Sequence, residues 1–80
     1  MGVTEDLADA LAQDVLKAID LTGDEDLVDH LAQLMGATSQ TAEEAFLTAV
    51  RVRRANIKAR QMLLERVKAF KAGQQPPKVE

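Results

Sequence analysis

The densest set of potential metal ligands in this sequence is a run of carboxylates: Asp20, Asp24, Glu25, Asp26 and Asp29. Carboxylate oxygens at alternate positions are what a calcium-binding loop requires, with glycine at its sixth position and glutamate at its twelfth. Counted from Asp20, those two positions hold Glu25 and Leu31, so the template fails. Because a helix dipole favours acidic residues in the first turn, the run is more typical of a helix start than of a metal site.

Other residues able to do chemistry are scarce. His30 is the only histidine and there is no cysteine, so no zinc ligand set and no disulfide can form. Ser39 falls in a predicted linker and in no nucleophile motif, and the sequence has no glycine-rich phosphate loop. We therefore expect no enzymatic activity, no metal and no cofactor.

Positive charge concentrates in five basic residues between positions 51 and 60. Arg51, Arg54 and Lys58 share one helical face, which could contact the phosphates of DNA or RNA, or an acidic partner. The formal net charge of -3 and the presence of only two aromatic residues argue against nucleic acid. This basic face is therefore the second choice for a binding site.

Arg53, Asn56 and Arg60 form a polar seam along the same segment. In one interpretation the arginine side chains lie along a groove between helices and their guanidinium groups reach water or a carboxylate. In the other, the seam fixes the register of packed helices or holds an anion, because a misplaced buried guanidinium is costly. The partners of Arg53 and Arg60 could belong to their own chain or to another one.

All these basic and polar residues lie on a helix predicted over residues 41–71. Thr41 and Glu44 have the spacing of a capping box at its start, and Gly73 provides a left-handed stop after its end. No Gly or Pro interrupts the segment. About thirty residues at about 1.5 Å each make a rod of roughly 45 Å, longer than most small domains.

The apolar residues of this helix fall in two stripes. The first contains Phe46, Val50, Ile57 and Leu64. The second contains Ala45, Ala49, Val52, Ala59, Leu63, Val67 and Phe70. Together they span about half of the circumference, wider than the roughly 100° that one packing partner needs. We therefore expect two surfaces to cover the helix, and the eight residues larger than alanine are the predicted interface.

Two shorter amphipathic helices are predicted before it, over residues 4–20 and 24–35. Thr4 is available to cap the first, and Asp24 or Thr22 to cap the second. The apolar face of the first holds Leu7, Leu11, Val15, Ala18 and Ile19, joined by Ala8, Ala12 and Leu16; that of the second holds Leu27, Val28, Leu31, Leu34 and Met35. The fold class is therefore all-α, with two short helices packed on one long C-terminal helix in a small bundle.

We expect one helical domain over residues 1–72 and a disordered tail over residues 73–80. A chain of 80 residues buries only about 60% of its unfolded surface, and dimerisation would complete so small a core. Residues 1–35 carry nine acids and one base, net -8, and residues 36–80 carry nine bases and four acids, net +5, which sum to -3. Such asymmetry orients the short helices against the long one.

The sequence therefore predicts a non-enzymatic protein–protein interaction module, a homodimeric adaptor, assembly factor or small regulator that pairs through the long helix. A different helical protein is the other candidate partner. DNA or RNA binding through the basic face is the alternative function. No targeting signal and no run of eighteen apolar residues occurs, so we expect a cytoplasmic protein without a membrane partner.

Overall fold

A computed structural model describes residues 2–73, which form three α-helices. α1 spans Val3–Thr22, α2 spans Leu27–Gly36 and α3 spans Gln40–Lys71. No strand occurs in this part of the chain. The prediction of an all-α fold with two short helices packed on a long third helix is confirmed. The predicted disordered tail, apart from Gly73, lies outside the described residues.

The start of α3 differs from the predicted capping box. The hydroxyl of Ser39 accepts a hydrogen bond from the Ala42 backbone N–H at 3.1 Å, so Ser39 is the cap. Thr41 lies within the helix, and the Glu44 carboxylate accepts from the Gln40 side-chain amide at 3.3 Å. The prediction that Thr41 is the cap is therefore wrong. Ser39, two residues earlier, has an equally suitable hydroxyl, and it accepts the hydrogen bond from the Ala42 N–H.

The predicted caps of α1 and α2 are wrong as well. Gly2 precedes α1 without a side-chain hydrogen bond, which leaves Thr4 inside the helix. Asp26 holds the corresponding place before α2, also without such a bond. The Thr22 hydroxyl instead accepts from the Asp24 N–H, and the Asp24 carboxylate accepts from the Asp26 N–H, both at 3.1 Å. These side chains serve the connection between the helices, and α2 begins later than predicted.

Glycines in the left-handed region follow both α1 and α3. Gly23 has a φ of 74° and donates its N–H to the carbonyl of Ile19 at 2.7 Å. Gly73 has a φ of 86° just beyond α3, where the sequence predicts the stop. A residue with a side chain pays a steric cost in this region, so these two positions favour glycine.

α1 and α3 run in the same direction, and α2 returns between them. Glu5 lines a surface depression with Thr41, and Asp20 lines another with Ile57, so residue numbers increase along both helices together. The connections over residues 23–26 and 37–39 are short, which makes α2 antiparallel to both neighbours. The result is an up-down-up arrangement of three helices.

One cluster of eight buried apolar residues holds the three helices together. It consists of Ala8, Ala12, Val15, Ile19, Val28, Ala32, Phe46 and Val50. On α1 the small side chains of Ala8 and Ala12 occupy the centre of the contact, and Leu7, expected on the apolar face, is largely exposed. Leu34 of α2 is exposed in the same way. The residues of α1 and α2 that are buried are therefore alanine, valine and isoleucine, while their partly buried leucines pack against the cluster: Leu11, Leu16, Leu27 and Leu31.

The core ends well before α3 does. Phe46 and Val50 are the buried residues of α3, and Ile57 is the last described residue of this helix that lines a depression against α1. Residues 58–71, here called the arm, contain no buried residue and extend about 21 Å at about 1.5 Å per residue. The radius of gyration is 16.8 Å, against roughly 12 Å for a compact domain of 80 residues.

Candidate interaction surface on the long helix

Five apolar residues of α3 lie exposed on one side of the helix. Val52, Leu63, Val67 and Phe70 have exposed fractions between 41% and 72%, and Ala59 is exposed with them. Their spacings of seven, four, four and three residues keep them on one face. Isolated exposed apolar residues are ordinary, but a continuous patch marks a surface that another molecule covers. We call these five residues the exposed stripe.

The structure divides the eight residues predicted as an interface. Phe46 and Val50 are buried against α1 and α2, so their side chains are already used within the chain. Ile57 and Leu64, on the same stripe, are about half exposed because Ile57 lies where the contact with α1 ends and Leu64 lies beyond it in the arm. The other four are the larger members of the exposed stripe. Six of the eight predicted residues are therefore accessible to a second molecule.

A groove between α1 and α3 runs beside the exposed stripe. It consists of two depressions that meet at Asp9 and Val52. One is lined by Glu5, Asp6, Asp9, Thr41, Glu44, Ala45, Thr48, Ala49 and Val52; the other by Asp9, Gln13, Leu16, Lys17, Asp20, Val52, Arg53, Asn56 and Ile57. The floor of this α1–α3 groove is apolar and made of small residues at the end nearest Thr41, where carboxylates form the wall.

An ion pair between Asp9 and Arg53 lies where the two depressions meet. Nε and Nη2 of Arg53 donate to the two carboxylate oxygens of Asp9, both at 2.7 Å. The hydrogen bond from Arg53, with the attraction of its charge, lowers the pKa of Asp9 against a smaller opposing effect of burial. The same bond raises the pKa of Arg53. This two-point contact fixes the position of α1 against α3 and hence the shape of the groove.

The polar seam does not act as a single network. Arg53 meets a carboxylate of its own chain, whereas Arg60 donates from Nε to the Asn56 side-chain oxygen at 3.1 Å, one turn away on α3. Asn56 also lines the groove. The seam therefore has one residue that joins two helices and two that remain on the long helix.

The basic face keeps all three of its cations in solvent. Arg51, Arg54 and Lys58 are exposed. Arg54 lines a further depression together with Asp20 and Glu25, so carboxylates of the short helices lie near one edge of the face. This proximity lowers the positive potential that a phosphate backbone would meet there.

Charge separates α1 from the arm. α1 carries five carboxylates (Glu5, Asp6, Asp9, Asp14 and Asp20) and one lysine (Lys17), which gives -4. The arm carries five cations (Lys58, Arg60, Arg66, Lys68 and Lys71) and one carboxylate (Glu65), which gives +4. The acidic wall of the groove and the arm are thus opposite in sign.

The acidic wall of the groove is the part of the surface that sequence reasoning missed. Asp6, Asp9 and Asp20 belong to the polar face of α1, and a polar face by itself indicates only contact with solvent. The rotation of α1 about its own axis places one edge of that face beside Val52. The opposite charges of Asp9 and Arg53 are the one signal in the sequence that could have placed α1 beside α3 in this way. Many other acid–base pairs are possible in the same sequence, so this signal does not single out the observed one.

Within residues 2–73, no group of His, Cys, Asp or Glu is arranged to hold a metal ion. His30 is exposed on α2. No helix in this region is both long enough and apolar enough to cross a membrane. Comparisons with protein-family models, with curated proteins and with solved structures find no match for this chain. The candidate binding surfaces of the chain are therefore the exposed stripe, the α1–α3 groove and the basic face.

Proposed function

We propose that this chain is a non-enzymatic protein–protein interaction module that forms a homodimer through α3 and acts as an adaptor, assembly factor or small regulator in the cytoplasm. The observation that carries the proposal is the exposed stripe, which continues from Val52 into an arm without support from the described part of the chain. Among residues 2–73 nothing covers these side chains more than partly, so a partner that covers them gains their burial.

The energetics favour a second copy as that partner. Full burial of a side chain such as Leu63 or Phe70 contributes about 1.5–3 kcal/mol, and the part still exposed here is worth about 1 kcal/mol each. Association itself costs at least about 4 kcal/mol in lost freedom of motion. Four large apolar residues in one copy barely offset that cost, but a symmetric pair contributes eight.

The small size of the core also favours association with a second copy. Three of its eight buried residues are alanines (Ala8, Ala12 and Ala32), and Phe46 is its only aromatic member. Domains of this size are marginally stable unless something adds to the core. A second α3 laid on the exposed stripe would supply that addition without any change in the three-helix fold.

Sedimentation equilibrium of three proteins tests the proposal. Leu63→Asp places a charge on the exposed stripe, and Gln61→Asp places the same charge on the arm but off the stripe. We expect the unaltered chain to be dimeric and Leu63→Asp to weaken it at least about 30-fold, the loss typical of a central interface residue worth about 2 kcal/mol. Gln61→Asp should stay close to the unaltered chain. A monomer at high micromolar concentration, or equal weakening by both variants, contradicts the proposal.

Binding of DNA or RNA is the second candidate function, favoured by the exposure of all three cations of the basic face. It predicts that affinity for a DNA duplex falls steeply with salt. Simultaneous reversal of Arg51, Arg54 and Lys58 to glutamate should abolish that affinity, while the dimer persists because these residues lie off the exposed stripe. Absence of retention on a phosphate resin at low salt would exclude this function.

A further inference from the structure

We propose that the arm of one copy lies in the α1–α3 groove of a second copy, with the two α3 helices antiparallel. Residues 58–71 of each copy then lie beside residues 44–57 of the other. This inference rests on the proposed homodimer and adds to it the surface that receives the arm, the direction of the helices and their register. Three independent features of the described residues support it: length, side-chain size and charge.

The lengths agree. The arm begins after Ile57, where contact between α3 and α1 ends, and α3 ends at Lys71. Its length of about 21 Å fits within the groove, whose α3 side runs from Thr41 to Ile57 and spans about 25 Å by the same rise per residue. An antiparallel pair in this register therefore covers the whole arm of each copy and leaves no further length of exposed stripe beyond its partner.

Side-chain sizes are complementary in this register. Phe70 meets Ala45, Val67 meets Ala49 and Leu63 meets Val52, so the large side chains of the arm fall on the small floor of the groove. Close packing requires large residues opposite small ones. In a parallel pair Phe70 would meet Phe70 and Ala45 would meet Ala45, which crowds one end of the pair and leaves space at the other.

Charge selects the same direction. The arm carries +4 and α1 carries -4, from the residues counted above. In the antiparallel pair Lys68 and Lys71 approach the end of the groove where Glu5 and Asp6 form the wall. A parallel pair would set arm beside arm and α1 beside α1, with like charges adjacent along both. Complementary potentials favour the first arrangement and disfavour the second.

The arrangement closes on itself. Each copy presents the same arm and the same groove, so one two-fold axis relates them and no surface is left to extend the assembly. The axis passes close to Asn56 and Ala59, in the middle of the paired segment 44–71. A polar side chain in the middle of an apolar helix pair fixes register at some cost in stability, which is the role we assign to Asn56.

Disulfide trapping between single-cysteine variants tests the direction and the register. The chain has no cysteine of its own, so each variant carries one thiol. Val52→Cys and Leu63→Cys, both at exposed positions, are purified separately, mixed and oxidised. We expect a heterodimer of the two variants to form in large excess over either self-linked species, because a disulfide requires Cα atoms within about 7 Å. Gln61→Cys replaces Leu63→Cys in the control mixture and should give no excess.

The outcomes separate this inference from the proposed function. A dimer by mass in which Leu63→Cys links to itself and not to Val52→Cys would be parallel, which overturns the inference and leaves the homodimer standing. A chain that stays monomeric overturns both the antiparallel arrangement and the proposed homodimer. The same holds for a monomer whose arm binds anionic lipid vesicles and no second copy.

A charge exchange gives a second test that does not depend on thiols. Reversal of Lys68 and Lys71 to glutamate should weaken the dimer at least about tenfold at low salt, since like charges would then face each other across the groove. Mixing that variant with one that carries Glu5→Lys and Asp6→Lys should restore both groove contacts, with their charges exchanged in one of them, and strongly favour the mixed dimer. Mixed dimers no more abundant than chance would contradict the antiparallel arrangement.

Discussion

Single side chains cap the start of α3 and join α1 to α3. Ser39 satisfies the amide of Ala42 at the start of α3. Arg53 donates hydrogen bonds to the two carboxylate oxygens of Asp9 across the groove. Both contacts can be removed by a substitution that leaves the apolar core untouched, so each can be tested by itself.

Substitution of the observed cap should matter more than substitution of the predicted one. Ser39→Ala removes the hydroxyl that accepts from the Ala42 N–H, and we expect a loss of about 1 kcal/mol in the free energy of unfolding. Thr41→Ala is the matched control, because Thr41 lies within α3 and its loss should cost much less. Urea denaturation followed by circular dichroism at one fixed protein concentration measures both. Equal losses would mean that Thr41 shares the capping role.

The Asp9–Arg53 ion pair predicts a specific dependence on pH. The pKa of Asp9 is lowered in the folded chain, so the pair stabilises the fold above the ordinary pKa of an aspartate, about 4. That contribution is lost as the pH falls through the lowered pKa. We expect Asp9→Asn to lower the melting temperature modestly at pH 7 and the difference from the unaltered chain to vanish at low pH, as followed by thermal denaturation.

Asp14→Asn provides the control, because Asp14 is an exposed carboxylate of the same helix that does not line the groove. A difference for Asp9→Asn that stays constant down to the lowest pH would show that charge on Asp9 is not its source. The effect should be modest at any pH because Arg53 and Asp9 keep 31% and 53% of their side-chain surface exposed.

The failures of the cap predictions for α2 and α3 have one physical cause. Thr22, Asp24 and Asp26 stand close together, and Ser39 and Thr41 likewise, so each boundary offers several side chains able to accept from an amide. Which one does so depends on the backbone path of the connection. The sequence narrows a helix start to a few residues, and the tertiary arrangement selects among them.

The elements themselves follow closely from the sequence. Apolar periodicity predicts three helices, and the longest, predicted over 41–71, is observed as Gln40–Lys71. The exact rotation of each helix about its own axis is less accessible to prediction, as the exposure of Leu7 and Leu34, both expected on apolar faces, shows. The α1–α3 groove depends on that rotation, so the sequence alone does not reveal it.

The two halves of α3 should respond differently to truncation of members of the same stripe. Phe46 is fully buried, and Phe46→Ala should cost about 3–5 kcal/mol, enough to unfold much of a small domain. Ile57→Ala, in the exposed half, should cost less than half as much because its side chain is already partly in water. Denaturant unfolding at fixed protein concentration compares them. Similar losses would mean that Ile57 is covered as completely as Phe46.

In the molecule as a whole, the arm extends beyond the buried core, and the α1–α3 groove runs along the other half of α3. The arm is positively charged and partly apolar, and the groove has an acidic wall and an apolar floor. Both lie on the same side of α3, in line along the exposed stripe. The charge asymmetry of the sequence thus places positive charge on the arm and negative charge on the groove, the two surfaces that would come into contact in a pair of copies.

Amide hydrogen exchange of residues 62–70, measured over a range of protein concentration, is the most direct test of whether a second copy covers the arm. An arm without a partner opens readily, because so short a helical segment is marginally stable in water. We expect these amides to exchange nearly as slowly as those of residues 46–54 at high concentration and faster on dilution, and to exchange fast at every concentration in Leu63→Asp. Fast exchange in the unaltered chain at every concentration would show that no second copy covers the arm.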